Sequence, residues 1–188
     1  MAQISADVVI TNGTVLTMDS SGTKISDGAV AVKSDKIVWV GLREEYSFHD
    51  VPKVIDARGG IIMPGLINAH THAAMTCFRG LADDLPLMIW LDEHIFPAES
   101  KLDQEKVFSG ALLACAEMIL SGTTCFSDMY LFEDAVAGAA KHAGMRAVVG
   151  EVLYDFPSPS YGPIEKGFEY TEMLIEKWRG DPLVNIAI

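Results

Sequence analysis

The sequence changes character near residue 64, and this change is what most limits the folds open to the chain. Before it, short apolar runs are separated by turn residues, which is typical of a small β-rich unit. After it, strand-like and helix-like stretches alternate, which predicts parallel strands joined by helices. The sequence therefore predicts an α/β protein in which a β-rich unit, residues 1–61, precedes four β/α steps in residues 62–188.

Two tight turns are expected in the β-rich unit. Asn12-Gly13 and Ser34-Asp35 each separate two apolar runs, and Asn-Gly is the strongest short hairpin signal. We see no catalytic set of residue types in this unit, so we assign it a structural role.

In the second part, predicted strands alternate with predicted helices. The first strand covers residues 66–70, and a short helix is expected at 85–94. Asp103 can cap a long helix in which apolar residues recur at helical spacing, and Gly122 can end it. The other predicted strands are 123–127, 146–151 and 184–188, and the other predicted helices are 134–143 and 165–179.

Two histidines lie at the carboxyl end of the first predicted strand of this part: His70 is its last residue, and His72 follows two residues later. Side chains at i and i+2 of an extended strand point to the same face, so both imidazoles can reach one metal ion. Pro64-Gly65 predicts a turn that holds the pair at a defined place. Because hydrolytic zinc sites commonly have three or more protein ligands, the pair predicts only part of such a site.

The run Pro64-Gly65-Leu66-Ile67-Asn68-Ala69-His70-Thr71-His72 resembles the first-strand signature of the amidohydrolase superfamily of metal-dependent hydrolases. The downstream run from Phe78 to Glu99 resembles the 5′-methylthioadenosine/S-adenosylhomocysteine deaminase branch of that superfamily. The resemblance covers nearly the whole chain and is most specific over residues 63–99.

This resemblance implies the first half of a (β/α)₈ TIM-like barrel in residues 62–188, as its first four β/α units. Residues 1–61 are then the N-terminal part of a small, composite β-sandwich. A complete barrel takes about 250 residues, and residues 62–188 are about half as many. We therefore expect a fragment whose partner is the C-terminal remainder of the same polypeptide.

The resemblance also implies an activity, which is the zinc-dependent deamination of the adenine ring of 5′-methylthioadenosine or S-adenosylhomocysteine. Iron or manganese are alternatives to zinc. His70 and His72 are the implied metal ligands. Trp90 is expected to pack against the nucleoside and Glu99 to meet the ribose hydroxyls. The remaining ligands and the catalytic acid/base are expected beyond residue 188, so the chain alone is expected to be inactive.

Other interpretations stay open. The scaffold could serve a chlorotriazine hydrolase-like or guanine deaminase-like reaction, or a non-catalytic homologue. We interpret His49, His94 and His142 as structural or exposed histidines. The loop 156–163 contains no arginine that could bind a substrate carboxylate, so a preference for S-adenosylhomocysteine is not supported.

Two acidic residues, Asp128 and Glu151, lie at the carboxyl ends of predicted strands, where barrel active sites form. Ion pairing or helix capping explains them equally well, so we do not include them in the predicted site.

Composition excludes some partners. The net charge of −12, from 14 basic and 26 acidic residues, argues against a nucleic acid. No apolar run reaches the ~20 residues of a membrane span, and the N-terminus lacks the basic start of a secretory signal. The three cysteines have no Cys-x-x-Cys spacing and favour reduced thiols. We expect a cytoplasmic homo-oligomer that acts on a small-molecule nucleoside.

Overall fold

The computed structural model describes residues 5–45, 47 and 51–188, so His49 lies outside the described residues. The chain divides into two units, Met1–Pro64 and Gly65–Ile188. The first unit is a β-sheet and the second is a parallel sheet with helices, so the predicted α/β class is confirmed. Among the described residues, no helix is both long enough and apolar enough to span a bilayer.

The first unit contains a five-stranded sheet. Its strands are β1 (Val8–Leu16), β2 (Lys24–Lys33), β3 (Lys36–Leu42), β4 (Lys53–Asp56) and β5 (Ile61–Ile62). The strand order is β3-β2-β1-β4, and β5 also pairs with β1. The β1–β2 and β2–β3 pairs are antiparallel, whereas β4 and β5 run parallel to β1. Val9, Ala29 and Ala31 form a small buried core in this unit.

One of the two predicted turns is confirmed and the other is wrong. Ser34-Asp35 joins β2 to β3, and Lys33 pairs with Lys36 across it. Asn12-Gly13 makes no hairpin, because β1 continues through it with a shift in register. Asn12 has a φ of 59°, and its side-chain amide donates to Asp56 at 2.7 Å. Because β1 pairs with strands on both sides, the Asn12-Gly13 segment forms a bulge within the strand and not the predicted hairpin.

The second unit contains a four-stranded sheet and three long helices, which follow the strands as predicted. The strands are β6 (Leu66–Thr71), β7 (Thr123–Tyr130), β8 (Arg146–Glu151) and β9 (Val184–Ile186), and the helices are α1 (Gln104–Leu120), α2 (Glu133–Ala143) and α3 (Ile164–Trp178). The sheet is parallel and has the order β6-β7-β8-β9. A 3₁₀ turn, Ala73–Phe78, comes directly after β6 and His72.

The helix ends follow the local sequence. Asp103 caps α1, because its carboxylate accepts the Lys106 backbone N–H at 2.9 Å. Gly144 ends α2 in the left-handed conformation, with a φ of 73°. The core of this unit lies between the sheet and the buried faces of α1 and α2. Phe126, Val107 and Val136 are among its fully enclosed side chains.

Between the 3₁₀ turn and α1 lies a helical stretch that we call the cover segment, residues 87–99. It consists of the α turn Leu87–Ile89, the π turn Trp90–Ile95 and the α turn Phe96–Glu99. The predicted helix at 85–94 therefore starts later, runs further and has a wide turn in its middle. Pro97 gives a reason, since a proline inside a helix crowds the carbonyl four residues earlier, and a wider turn relieves that crowding.

Replacing either of two mid-helix glycines of this unit by alanine should change stability, in opposite directions. A Cβ at Gly110 of α1 would lie 2.7 Å from the Ala74 carbonyl oxygen, whereas one at Gly138 of α2 would meet Phe108 at 3.8 Å. We expect Gly110→Ala to destabilise by about 1–3 kcal/mol, as overpacking does. Gly138→Ala should stabilise by up to about 1 kcal/mol through helix propensity. Urea unfolding measures the free energy of unfolding of both variants. Equal changes in the two would contradict the close approach of α1 to the Ala74 backbone.

Candidate metal centre and substrate cavity

The two predicted metal ligands lie side by side at the end of β6. The ring centroids of His70 and His72 are 5.0 Å apart, and the ring planes are at 78° to each other. His70 is exposed and His72 is half-buried. The strand geometry that predicted a shared face for the pair therefore also brings the rings together.

A carbonyl oxygen sets the tautomer of His72. His72 Nδ1 lies 2.6 Å from the Met129 carbonyl oxygen on β7. A carbonyl can only accept, so Nδ1 carries the proton and donates it. The Nε2 atom then keeps its lone pair for a metal ion, which is the usual arrangement of a ligating histidine.

Asp128, the residue before Met129, binds the residues on both sides of His72. Its Oδ1 accepts the Thr71 hydroxyl and also the Ala73 backbone N–H, the latter at 2.7 Å. Asp128 is 3% exposed, and burial raises the pKa of its carboxyl above the ordinary value. It thus ties the end of β7 to the turn that carries His72.

His72 also borders a cavity of about 300 Å³. This volume is at the lower end of the range for small-molecule sites. The cavity wall is mostly apolar and aromatic. The lining residues are His72, Met75, Trp90, Leu91, Ile95, Phe96, Glu99, Met129, Tyr130, Val152 and Tyr154.

Both predicted substrate-binding residues, Trp90 and Glu99, line this same cavity. Within the π turn the Phe96 N–H donates to the Leu91 carbonyl, so residues five apart share a face, and Trp90 and Ile95 line the cavity together. Glu99 is 5% exposed. Burial raises the pKa of its carboxyl, while the Tyr130 hydroxyl and the His72 ring act in the opposite direction. Their roles toward a substrate stay predictions.

Aromatic rings that the sequence interpretation did not single out complete the cavity wall. Tyr154 stacks on Phe156 at 4.4 Å between ring centroids, and Phe96 meets both rings edge-on. The Tyr161 hydroxyl accepts the Tyr154 backbone N–H and donates to the Val152 carbonyl. These two bonds brace the loop after β8 internally, and the Phe96 ring contacts join that loop to the cover segment. No sequence signal marked these aromatics, because they meet only when β8 and the cover segment pack together.

A buried group of carboxyls lies behind the histidines. Glu151 at the end of β8 accepts the backbone N–H groups of Phe132 and Glu133 at 3.2 and 2.8 Å, so it caps α2. Burial raises the pKa of Glu151 to about 7. Capping, one of the two readings left open for Glu151, is thus the observed role. Glu133 is fully enclosed, which the sequence did not suggest for a residue at the first position of a helix.

The described residues supply only part of a metal site. They contain no group of three or more histidine, cysteine or carboxylate side chains placed to hold one ion. His94 is half-buried in the π turn, and the exposed His142 packs edge-on against Phe108. The three cysteines are free thiols, and burial raises the pKa of Cys115 to about 11. The free Nε2 of His72 beside the His70 ring fits two ligands of a divalent ion.

Comparison with known proteins adds independent information. A curated relative from Syntrophobacter fumaroxidans, a 5-methylthioadenosine/S-adenosylhomocysteine deaminase, is 59% identical over 189 residues, covering 100% of this chain and 43% of its own length. A 5′-deoxyadenosine deaminase from Methanosarcina mazei is 45% identical over 175 residues, covering 93% of this chain and 39% of its own. The chain therefore spans less than half the length of these relatives.

The structural and family comparisons agree. The crystal structure of an adenosine deaminase from Xanthomonas campestris with bound zinc matches with a TM-score of 0.91 and 38% identity, over 97% of this chain and 42% of that one. The β/α units are thus those of the amidohydrolase fold, as predicted. The model of the Amidohydrolase family matches residues 61–185, about two thirds of the chain. The chain belongs to the amidohydrolase family.

Proposed function

We propose that this chain is part of a metal-dependent aminohydrolase that deaminates the adenine ring of a 5′-modified adenosine such as 5′-methylthioadenosine or S-adenosylhomocysteine. One observation carries the proposal: His72, which lies beside His70 and keeps its Nε2 free, borders a cavity that Trp90 and Glu99 also line. The relatives and the zinc-bound structural neighbour support it.

In this proposal His70 and His72 hold one divalent ion, with zinc favoured because the structural neighbour binds it. Such an ion lowers the pKa of a water molecule to about 7 and so makes a nucleophile available at neutral pH. The Met129 carbonyl keeps the His72 ring in the ligating tautomer. Further ligands and the group that moves the proton come from a segment beyond residue 188.

In this proposal, residues of the cavity wall bind the nucleoside. Trp90 gives the base or the sugar a flat apolar surface, and Glu99 accepts hydrogen bonds from the two ribose hydroxyls. Ile95, Phe96 and Tyr154 make this side of the cavity apolar. The apolar surroundings strengthen the hydrogen bonds of Glu99, because few water molecules compete for them.

The same wall favours an uncharged 5′ group. None of the described residues that line the cavity is lysine or arginine, and Glu99 adds a carboxylate. A substrate carboxylate on the 5′ side would find no cation here. 5′-Methylthioadenosine and 5′-deoxyadenosine therefore fit this wall better than S-adenosylhomocysteine does.

Other activities on the same scaffold are weaker candidates. A guanine deaminase-like or chlorotriazine hydrolase-like reaction needs no ribose contact, and it leaves Glu99 without a role in the cavity. A non-catalytic scaffold needs no ligating tautomer at His72. The homo-oligomeric state and the cytoplasmic location stay predictions from the sequence.

Ammonia release from a panel of substrates tests the proposal. The complete polypeptide in which residues 1–188 occur, loaded with zinc, is assayed with 5′-methylthioadenosine, 5′-deoxyadenosine, S-adenosylhomocysteine, guanine and a chlorotriazine. We expect kcat/KM to be highest for the two uncharged nucleosides, and residues 1–188 alone to be inactive. A preference for guanine or the chlorotriazine would overturn the proposed deamination of a 5′-modified adenosine. A preference for S-adenosylhomocysteine would overturn the inference that the site favours an uncharged 5′ group.

A further inference from the structure

We propose that Glu133 is a positioning residue for the metal centre: it stays protonated, donates its hydrogen to Asp128, and through Asp128 holds the turn that carries His72. The proposal rests on the metal site proposed above. It assigns a role to a side chain that is not among the residues lining the cavity.

Asp128 holds the turn that carries His72. One oxygen, Oδ1, accepts both the Thr71 hydroxyl and the Ala73 N–H, which flank His72 in the chain. The next residue, Met129, accepts the His72 ring proton. The orientation of the imidazole is therefore set by two consecutive residues of β7.

Asp128 Oδ2 and both carboxyl oxygens of Glu133 are buried, and no donor from the described residues reaches them. Burial raises the pKa of both carboxyls, and each lies close enough to the other to share a hydrogen. Two ionised carboxylates have no hydrogen to share, so one of the pair must be a neutral acid.

Burial and charge decide which one keeps the proton. Glu133 is 0% exposed, and burial together with the neighbouring Asp128 raises its pKa well above the ordinary value. Asp128 already receives two hydrogens on Oδ1, which favours its charged form. Glu133 is therefore the donor and Asp128 Oδ2 the acceptor, so every buried oxygen of Asp128 is satisfied.

The backbone conformation at the start of α2 accompanies the burial of the Glu133 side chain. Acidic residues in a first helical turn are normally exposed, where they interact favourably with the helix dipole. Here Phe132 adopts a left-handed φ of 54°, and Glu151 binds the N–H groups of both Phe132 and Glu133. A bulky residue at positive φ is strained and persists only where the surroundings hold it. This strained start is consistent with a functional demand on Glu133.

Three variants of the complete polypeptide test the proposal. Glu133→Gln keeps a neutral donor toward Asp128, whereas Glu133→Met has a similar volume and no donor. Thr171→Val is the control, because Thr171 is also a buried helical donor, to the Gly167 carbonyl at 3.0 Å on α3. Zinc affinity is measured by competition with a chelator, and the His72 Nδ1–H signal is recorded by ¹⁵N NMR of the metal-free protein.

We expect Glu133→Met to weaken zinc binding by about 10–100-fold, as loss of outer-shell partners does, and to abolish the protected Nδ1–H signal. Glu133→Gln should bind zinc as wild type does and keep the signal. Thr171→Val should lower only the thermal midpoint. Wild-type zinc affinity in Glu133→Met, or an equal loss in Glu133→Gln, would overturn the proposal.

Two outcomes need separate readouts. If Glu133→Met does not fold, Thr71→Val decides, since it removes one donor to the same Asp128 oxygen: a weaker Nδ1–H signal supports the network and an unchanged one overturns it. If the wild-type protein binds no zinc, the proposed metal site fails. The His72 signal of the metal-free variants still decides whether Glu133 positions the ring.

Discussion

In the complete polypeptide, His70→Ala will remove nearly all bound zinc and nearly all deaminase activity. His70 and His72 are the proposed ligands, their rings are 5.0 Å apart, and His72 lines the cavity. Loss of a direct ligand should weaken zinc binding by more than the ~100-fold limit for outer-shell partners. Metal analysis after dialysis and zinc competition give the numbers. The fold should persist, because the His70 side chain is exposed.

His142→Ala is the matched control for this experiment. His142 is an exposed histidine on α2 that packs against Phe108. Its replacement should leave zinc content and kcat/KM unchanged. Full zinc occupancy in His70→Ala, or equal losses in both variants, would show that His70 is not a ligand.

The second large effect is expected at Glu99. In Glu99→Ala, kcat/KM for 5′-methylthioadenosine should fall by the equivalent of about 1–3 kcal/mol, the range for hydrogen bonds to charged groups. The fall should be much smaller for a 2′,3′-dideoxy analogue, which lacks both hydroxyls. Steady-state kinetics on the two substrates separates a ribose contact from general damage.

Glu165→Ala serves as control, because Glu165 is an exposed carboxylate in the first turn of α3. It should change neither substrate's kinetics. Glu99 is 5% exposed and lies beside Tyr130, so its loss also leaves a small cavity. Equal losses of kcat/KM on both substrates would sink the ribose role and point to that packing defect.

Local signals in the sequence predicted most of the second unit. Asp103 and Gly144 set the start of α1 and the end of α2, because caps depend on a few neighbouring residues. β8 runs from Arg146 to Glu151, the range predicted from its β-branched residues. His70 and His72 meet because strand geometry alone places i and i+2 on one face.

Signals that compete with tertiary packing were misread. Asn12-Gly13 favours a hairpin locally, but β1 gains pairing on both sides by running through it. The helix expected at 85–94 continues to Glu99 around a π turn, which a pattern of period 3.6 does not predict. At Asn12-Gly13, long-range pairing outweighs a local preference of about 1 kcal/mol. The π turn instead follows from the crowding that Pro97 causes.

The sequence by itself determined the order of strands and helices, the histidine pair and the family. The reason is that these depend on periodicity, caps and a contiguous motif. Only the tertiary structure decided which distant residues meet: Met129 and Asp128 at His72, Tyr154 at the cover segment, and Glu133 behind Asp128. These contacts depend on the pairing of β6 with β7 and on the packing of loops at the carboxyl ends of parallel strands. Burial then sets the protonation of Glu133, which is a property of its surroundings and not of the residue.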